Sequence, residues 1–296
     1  MSFVQRQISV TFSMGSGQFE GGGNSATVSS LGGGDPNTPR VSAHIQGPGG
    51  ETGMVLTLSI WGLPLSMMNQ LSVVGKQVNA IGKNTISVSA GDAESGMQLV
   101  FSGVIAQAYV DAQSQPQVAF RVEAMPGAKA NVTNSPPTSV KGQADVAQLM
   151  QQLAGKAGFQ FKNQGVSVKL RNPYLPGAIG NQIKSLARIA GIEHIIDRGE
   201  LKIWNPGSGN GGGVLISPET GMVGYPTFNR ANVIVRTLFN PAIRHNETIT
   251  IQSDLTPACG SWAVINVVHE IESNIPRGKW FSIFTASSLG PATASN

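Results

Sequence analysis

Five short segments near the end of the chain decide how it is read: Gly224-Tyr225-Pro226-Thr227-Phe228, Leu238-Phe239-Asn240-Pro241, Gly260-Ser261-Trp262-Ala263-Val264, His269-Glu270-Ile271-Glu272-Ser273 and Pro276-Arg277-Gly278-Lys279-Trp280. Four of the five set a turn former (Gly, Pro or Asn) beside β-branched or aromatic residues, and His269–Ser273 alternates like a strand, together the rhythm of strands and turns. Strands are therefore expected over 214–216, 232–238, 248–253, 263–272 and 280–285.

The same rhythm occupies the first half. Residues 3–12 place Val4, Ile8, Val10 and Phe12 at period two, a strand pattern. Further strands are expected over 41–46, 54–61, 84–90, 97–110 and 117–124. Repeated short strands point to a sandwich or barrel. One helix interrupts them: Pro64 suits a first turn, and Leu65, Met68, Leu71 and Val74 recur at helical spacing before Gly75. The Met67-Met68 pair reads as a core face capping the strands. Between 15 and 34, eight of twenty positions are Gly, and Asp35-Pro36-Asn37-Thr38-Pro39 closes the stretch. With so few apolar residues, 13–39 is expected to be a long flexible loop.

The middle has another character. After the linker Asn134-Ser135-Pro136-Pro137-Thr138, Asp145 begins a helix with Val146, Leu149, Met150 and Leu153 on one face, ended around 155–158. A strand over 166–170 and a helix over 178–190, stopped by Gly191, come next. A hairpin (194–197, a turn at Arg198-Gly199, then 200–204) completes a small α+β module. Pro206-Gly207-Ser208-Gly209-Asn210-Gly211-Gly212-Gly213 reads as a flexible linker. The fold class is thus mainly β with an α+β insert: two tube-like β-barrel or sandwich domains, 1–133 and 214–290, flank a module over 139–205. The tail 290–296 is small and polar, and is expected to fray.

Composition narrows the function. No apolar run reaches the roughly 18 residues of a membrane span, so no membrane association of the folded subunit is expected. The opening residues read as a strand and lack a secretory h-region, which implies a chain that stays in the cytoplasm where it is made. Only 12% of residues are charged, against roughly 25% in an ordinary soluble domain. Depletion of charge suits a surface covered by other subunits. Cys259 is single, which excludes an internal disulfide and fits a reducing compartment; it reads as a small buried or turn-edge residue. Residues 139–204 hold nine Lys and Arg against four Asp and Glu, a net +5, but the cations are interspersed and form no run. A solvated helical face is expected there, and sequence-specific nucleic-acid binding is not.

The chemical motifs fail on context. Gly207–Gly212 spells G-x-G-x-x-G, but strand-like residues follow where a dinucleotide site needs a helix. His269-Glu270-Ile271-Glu272-Ser273 begins like a zinc-protease motif, but ends in Ser and alternates like a strand, which places His269 and Glu270 on opposite faces. His44, His194 and His245 have no ligand spacing to one another or to Cys259. Ser16, flanked by Gly15 and Gly17, belongs to no nucleophile elbow. Asn131-Val132-Thr133 and Asn246-Glu247-Thr248 are glycosylation sequons that carry no information without a secretory signal. Catalytic, cofactor-binding and metal-binding residues are all expected to be absent. Glu270 and Glu272, on one strand face, are the candidate carboxylates for a wall-degrading enzyme, in a domain that packing alone explains. Trp262 and Trp280, each two residues after a turn Gly, read as core aromatics or as interface anchors.

In order and spacing these segments resemble the C-terminal barrel of baseplate hub proteins of contractile-tailed bacteriophages. The likeness is strongest over 221–285. Ile60-Trp61-Gly62-Leu63-Pro64-Leu65-Ser66-Met67-Met68-Asn69-Gln70-Leu71-Ser72 resembles the strand-to-helix step of that family's N-terminal barrel, and 145–204 its α+β domain. The Gly-rich stretch 15–34 departs from the pattern. The resemblance implies a non-enzymatic structural protein of the virion tail baseplate, assembled in the host cytoplasm. It implies a homotrimer that adapts a hexameric tail tube to a trimeric central spike, with tail tube, spike, tape-measure and other baseplate proteins as partners. A distal tail or tube-initiator ring protein, and more distantly a sugar-binding or wall-degrading tail-tip module, are the alternatives.

Overall fold

The computed structural model describes residues 5–15, 18–19, 22–30, 38–47, 53–72, 84–92, 94–113 and 115–289. Alternation of apolar and polar residues builds the first strand group: β1 (Arg6–Met14), β2 (Ser25–Ser29), β3 (Arg40–Gly47), β4 (Val55–Trp61), β5 (Asn84–Asp92), β6 (Gly96–Asp111) and β7 (Ala119–Met125). Helix α1 (Leu65–Leu71) follows β4, and a short α2 (Ala128–Val132), which the pattern did not foretell, follows β7. In α1, Met68 and Leu71 are buried as expected, but Leu65 points outward at 64% exposure. The helix ends where Ser72 caps the Met68 carbonyl through backbone and hydroxyl; Val74 and Gly75 lie outside the described residues.

The middle segment carries β8 (Thr138–Ser139), β9 (Gln143–Asp145), α3 (Val146–Ala157), β10 (Gln160–Gln164), β11 (Lys169–Arg171), β12 (Tyr174–Leu175), α4 (Ile179–Ala190), β13 (Glu193–Asp197) and β14 (Glu200–Trp204). The Asp145 carboxylate accepts from the Gln148 amide and starts α3, while Gly158 and Gly191 take left-handed C-caps, as their sequence positions foretell. The strand expected over 166–170 divides instead. Asn163 receives the Val166 amide at 2.8 Å and donates to its carbonyl at 2.9 Å, so Val166 leaves the ladder while its side chain stays buried. The linker 134–138 is also tied down. The wholly buried Gln182 of α4 donates to the carbonyls of Pro136 and Gly177 and accepts from the Thr138 hydroxyl.

The last segment holds β15 (Asn210–Ile216), β16 (Thr227–Asn229), β17 (Asn232–Leu238), β18 (Glu247–Ile251), β19 (Gly260–Ser273) and β20 (Trp280–Ser288). The two outer strand groups join into one sheet: β16-β17-β20-β19-β3-β4-β7-β6-β5-β1-β2, with β18 added to β19 and β15 to β18. The junction is the antiparallel β3–β19 ladder, Val267↔Gly47 through Ser273↔Val41. Three apolar clusters form behind these elements. The first lies under β1–β7 and also takes in Ile271 and Trp280; the second lies between α3, α4 and β14; the third lies inside the last strand group.

Each strand group is drawn back on itself. In the first, the buried Ser30 hydroxyl accepts the Ile8 amide and donates to Ser273 of β19, whose hydroxyl donates to the Arg6 carbonyl. In the last, the chain after β15 crosses to the far side, where the Val223 amide meets the Arg236 carbonyl and the Leu238 amide meets Gly221. One stretch of chain thus touches both β18 and β17, which removes most of the free sheet edge.

Two stretches expected to be slack are ordered. Within 13–39, Ser25–Ser29 is β2, paired with β1 from Ser9↔Ser29 to Ser13↔Ser25, and Phe19 is buried. One apolar residue on each element, Val28 and Phe19, is enough when the neighbouring strand already has a core. Residues 16–17, 20–21 and 31–37 lie outside the described set, as does the tail 290–296. The Gly-rich 206–213 is half strand: β15 begins at Asn210 and runs parallel to β18, with a register shift between Asn210 and Val214. Glycine is required there. A Cβ at Gly209 would lie 2.6 Å from both Leu289 Cδ2 and Thr248 Oγ1, and Gly213 sits at φ +69° in the irregular stretch.

Candidate assembly surfaces

Strand pairing fixes two faces on the shared sheet. Ala108, Val122, Leu58, Ala43, Ile271 and Trp280 stand opposite one another across six strands, and all are buried. One residue away the register Gln107–Glu123–Thr57–His44–Glu270–Phe281–Leu238 crosses seven strands with none of its members buried. An outward face therefore runs from the first strand group to the last, polar from Gln107 to Glu270 and apolar at Phe281 and Leu238. The period-two geometry of strands forces this once one face has a core.

The carboxylate pair lies on this surface. Glu270 receives Lys279 Nζ at 2.8 Å and faces His44 Nδ1 at 3.9 Å. Glu272 accepts from the Lys279 amide at 2.8 Å and from the Ser42 hydroxyl at 3.1 Å. Both are engaged by near neighbours; Glu272 also borders an open cleft of about 200 Å³ beside Arg6, Asn274 and Gly278, which Glu270 does not line. His269 points the other way, as the alternation foretold. It is buried, with Nδ1 2.8 Å from the Ser282 hydroxyl and its ring against Phe239. Burial, with Arg198 adding to it, lowers its pKa to about 3, so the ring is neutral at physiological pH. Trp280 is a core aromatic packed edge-on to Phe239 at 5.1 Å. Trp262 is half-buried and its indole N–H donates to Ala258. Cys259 lies exposed at the end of a one-turn 3₁₀ helix, its thiol 3.1 Å from the Ser253 carbonyl. Among the described residues no group of three or more His, Cys, Asp or Glu is placed to hold a metal ion.

Behind the sheet is a cluster that sequence reasoning missed. The β13–β14 turn wedges between the strand groups: Arg198 donates from Nε to the Val100 carbonyl of β6 at 3.2 Å and from Nη2 to Pro241 at 3.0 Å. Arg244 grips buried Asp197 from Nε at 2.7 Å and Nη2 at 2.6 Å. Lys202, 1% exposed, lies 3.7 Å from Glu200 and 3.6 Å from Glu247. Burial lowers the Lys202 and Arg198 pKa values, the neighbouring Arg244 adding to the effect at both. His245, its ring tilted against Trp204 with centroids 5.4 Å apart, has its pKa brought down to about 4, mainly by burial. Only about 10 Å³ of space remains where Gly47, Met54, Asp197, Arg198 and His269 meet. Outside it, a cleft of about 360 Å³ opens between Trp204, His245, Asn246 and the start of β19. The +5 of this segment is therefore not all a solvated helical face, because two of its cations are buried here. The available signal was Lys202 inside the apolar run Leu201-Lys202-Ile203-Trp204, directly after Asp197-Arg198.

The remaining surface features are apolar. Val223, Tyr225, Phe228 and Leu238 are 38%, 68%, 44% and 50% exposed; Leu238, opposite Phe281, lies on the outward face of β17, whereas Phe228, opposite the buried Val233, lies on the other face. Tyr109 and Met125, 42% and 37% exposed, stand at the β6–β7 end.

No curated protein matches the chain. Among solved structures it is similar to the 43 kDa tail protein of prophage MuSo2 from Shewanella oneidensis, at TM-score 0.60 and 8% identity, covering 95% of this chain and 98% of that one. It is similarly close to a tail protein from Neisseria meningitidis MC58 (0.60, 10%, covering 95% and 96%). It also matches the c3393 protein of E. coli (0.59, 12%, covering 85% and 74%), described as a type VI secretion component resembling the T4 phage tail proteins gp27 and gp5. At such identities these likenesses speak for the fold. A family model described as baseplate hub gp41 matches residues 65–283, most of the chain, and the protein belongs to that baseplate hub family.

Proposed function

We propose that this protein is the trimeric hub of a phage baseplate, a symmetry adaptor joining a hexameric tail tube to a trimeric central spike. Membership of the hub family makes it a component of the phage tail, and so of the virion. The finer role rests on one observation: a single chain carries two strand groups, each drawn back on itself and joined side by side through the β3–β19 ladder. Three such chains in a ring present six comparable units to a six-fold partner and three identical ends to a three-fold one. Residues 1–133 and 214–290 are taken as the two tube-like units and 139–205 as the module bracing them. Tape-measure and other baseplate proteins are further partners in this reading, and assembly occurs in the host cytoplasm.

The role is structural and not catalytic. Glu270 and Glu272 are held by Lys279 and Ser42, which supports packing over acid–base work. Native mass measurement at micromolar concentration tests the proposal: three chains are expected, and a stable monomer, or a ring of six, rejects it. A peptidoglycan turbidity assay checks the catalytic side, where clearing would overturn the structural reading.

A further inference from the structure

The ion cluster behind the sheet leaves two polar atoms over. Asp197 is 4% exposed, and Arg244 approaches it with Nε at 2.7 Å and Nη2 at 2.6 Å, both on Oδ2. Its Oδ1 is buried and receives no hydrogen bond among the described residues. Arg198 does not supply one: its Nε lies 3.6 Å away and donates to the Val100 carbonyl, while Nη2 donates to Pro241. His245 Nδ1 is likewise buried without a hydrogen-bond partner among the described residues. Folded chains rarely leave buried polar atoms so, because the water lost on burial has to be replaced. Both residues line one void of about 10 Å³, walled by Asp197, His245 and His269 on its polar side and by Gly47, Met54 and Val267 on the other. That is the lower limit for one water, about 10–15 Å³, and too little for two.

We infer that this void holds one ordered water that bridges Asp197 Oδ1 to His245 Nδ1. The water donates one hydrogen to the carboxylate. Burial keeps the His245 ring neutral, so Nδ1 meets the water either with its N–H or with its lone pair. His269 Nδ1 is taken by the Ser282 hydroxyl, which leaves Nε2 as the third partner that a buried water usually has. Charge selects water over an ion. The Arg198 and Arg244 guanidiniums line the void and disfavour a cation, and the Asp197 oxygen disfavours an anion. His245 also lines the larger cleft of about 360 Å³, so exchange with solvent passes a single ring. The water ties the β13–β14 turn to the segment before β18 where no side chain does. The site lies within one chain and is the same whether or not copies assemble.

Gly47→Ala tests the inference, because a wet and a dry void predict opposite signs. The added Cβ would lie 3.4 Å from Met54 Cγ and 3.5 Å from Val267 Cγ1, so the methyl sits against the void's own wall. With water displaced, Asp197 and His245 lose their bridge, and the urea midpoint should fall by about 0.3–1 M. Filling a dry void would raise the midpoint instead; a rise, or no change, overturns the inference. In a His245→Phe background, where the bridge is already broken, the same methyl should cost less. An equal loss there would mean strain alone and also overturns it. A high-resolution crystal structure of the wild type should show one density peak about 2.7–3.2 Å from both atoms. No peak, or one at the roughly 2.4 Å of a cation–oxygen bond, refutes the water.

Discussion

Removal of the Asp197 carboxylate should be the most damaging single change in the buried junction. Asp197 is 4% exposed, accepts two hydrogen bonds from Arg244 and lies 3.6 Å from Arg198. In Asp197→Ala, three cations (Arg198, Lys202 and Arg244) stay behind without their most buried anion. Breaking a buried pair by removing one partner costs about 3–5 kcal/mol, because the survivor is left desolvated. Arg244 is a quarter exposed and can partly turn to water, which places the expected loss near the lower bound, about 3 kcal/mol. With a urea slope of about 3 kcal/mol/M for a chain of this size, the midpoint should fall by about 1 M. Trp204 fluorescence is a suitable probe, since its ring lies 5.4 Å from His245 beside the cluster. Lys202→Met is the contrasting control: Glu200 and Glu247 keep 25% and 19% exposure, so they rehydrate, and the change should stay under about 1 kcal/mol. Asp197→Ala with Arg244→Met should recover part of the loss. A midpoint for Asp197→Ala within about 0.2 M of the wild type would refute the idea that this cluster braces the three segments.

Three further outcomes follow from individual contacts. His269 and His245 are held neutral, with folded pKa values of about 3 and about 4 against 6.5 when unfolded. The unfolded state therefore binds protons first: their contribution is present above about pH 6.5 and is lost as pH falls toward those folded values, by up to about 1.4 kcal/mol per pH unit for each ring. Urea midpoints from pH 7.5 to 4.5 should show this, and His269→Asn should flatten the slope; an unchanged slope rejects it. Gly209→Ala forces a methyl to 2.6 Å from Leu289 and Thr248 and should cost about 1–3 kcal/mol in a thermal melt, whereas a slack linker would register nothing. Ser30→Ala leaves the buried Ile8 amide without its hydroxyl acceptor and should cost about 1–3 kcal/mol, with faster hydrogen exchange at Ile8 than at Val122; equal exchange would show that the closure is not made there.

Elements with a strong local period were legible before any coordinates. The α3 start at Asp145, the stops at Gly158 and Gly191, and the β19 alternation that sends His269 in and Glu270 out all stand where the residues put them. The misreadings share one cause. In 13–39 and 206–213 glycine content suggests slack, yet β2 and β15 form because an adjacent strand supplies both the ladder and the core. Similarly, Val166 left its expected strand because one side chain, Asn163, satisfied its backbone.

What the chain determined by itself is its alphabet of strands and helices, because side-chain period and turn residues act over a few positions. Which strands meet is a different matter. The β3–β19 ladder joins residues more than 200 positions apart, and the burial of Asp197, Arg198 and Lys202 depends on three segments converging. Long-range pairing depends on which edges and faces remain uncovered after the local elements form, and no local pattern of residues encodes that; only the assembled tertiary structure decided it.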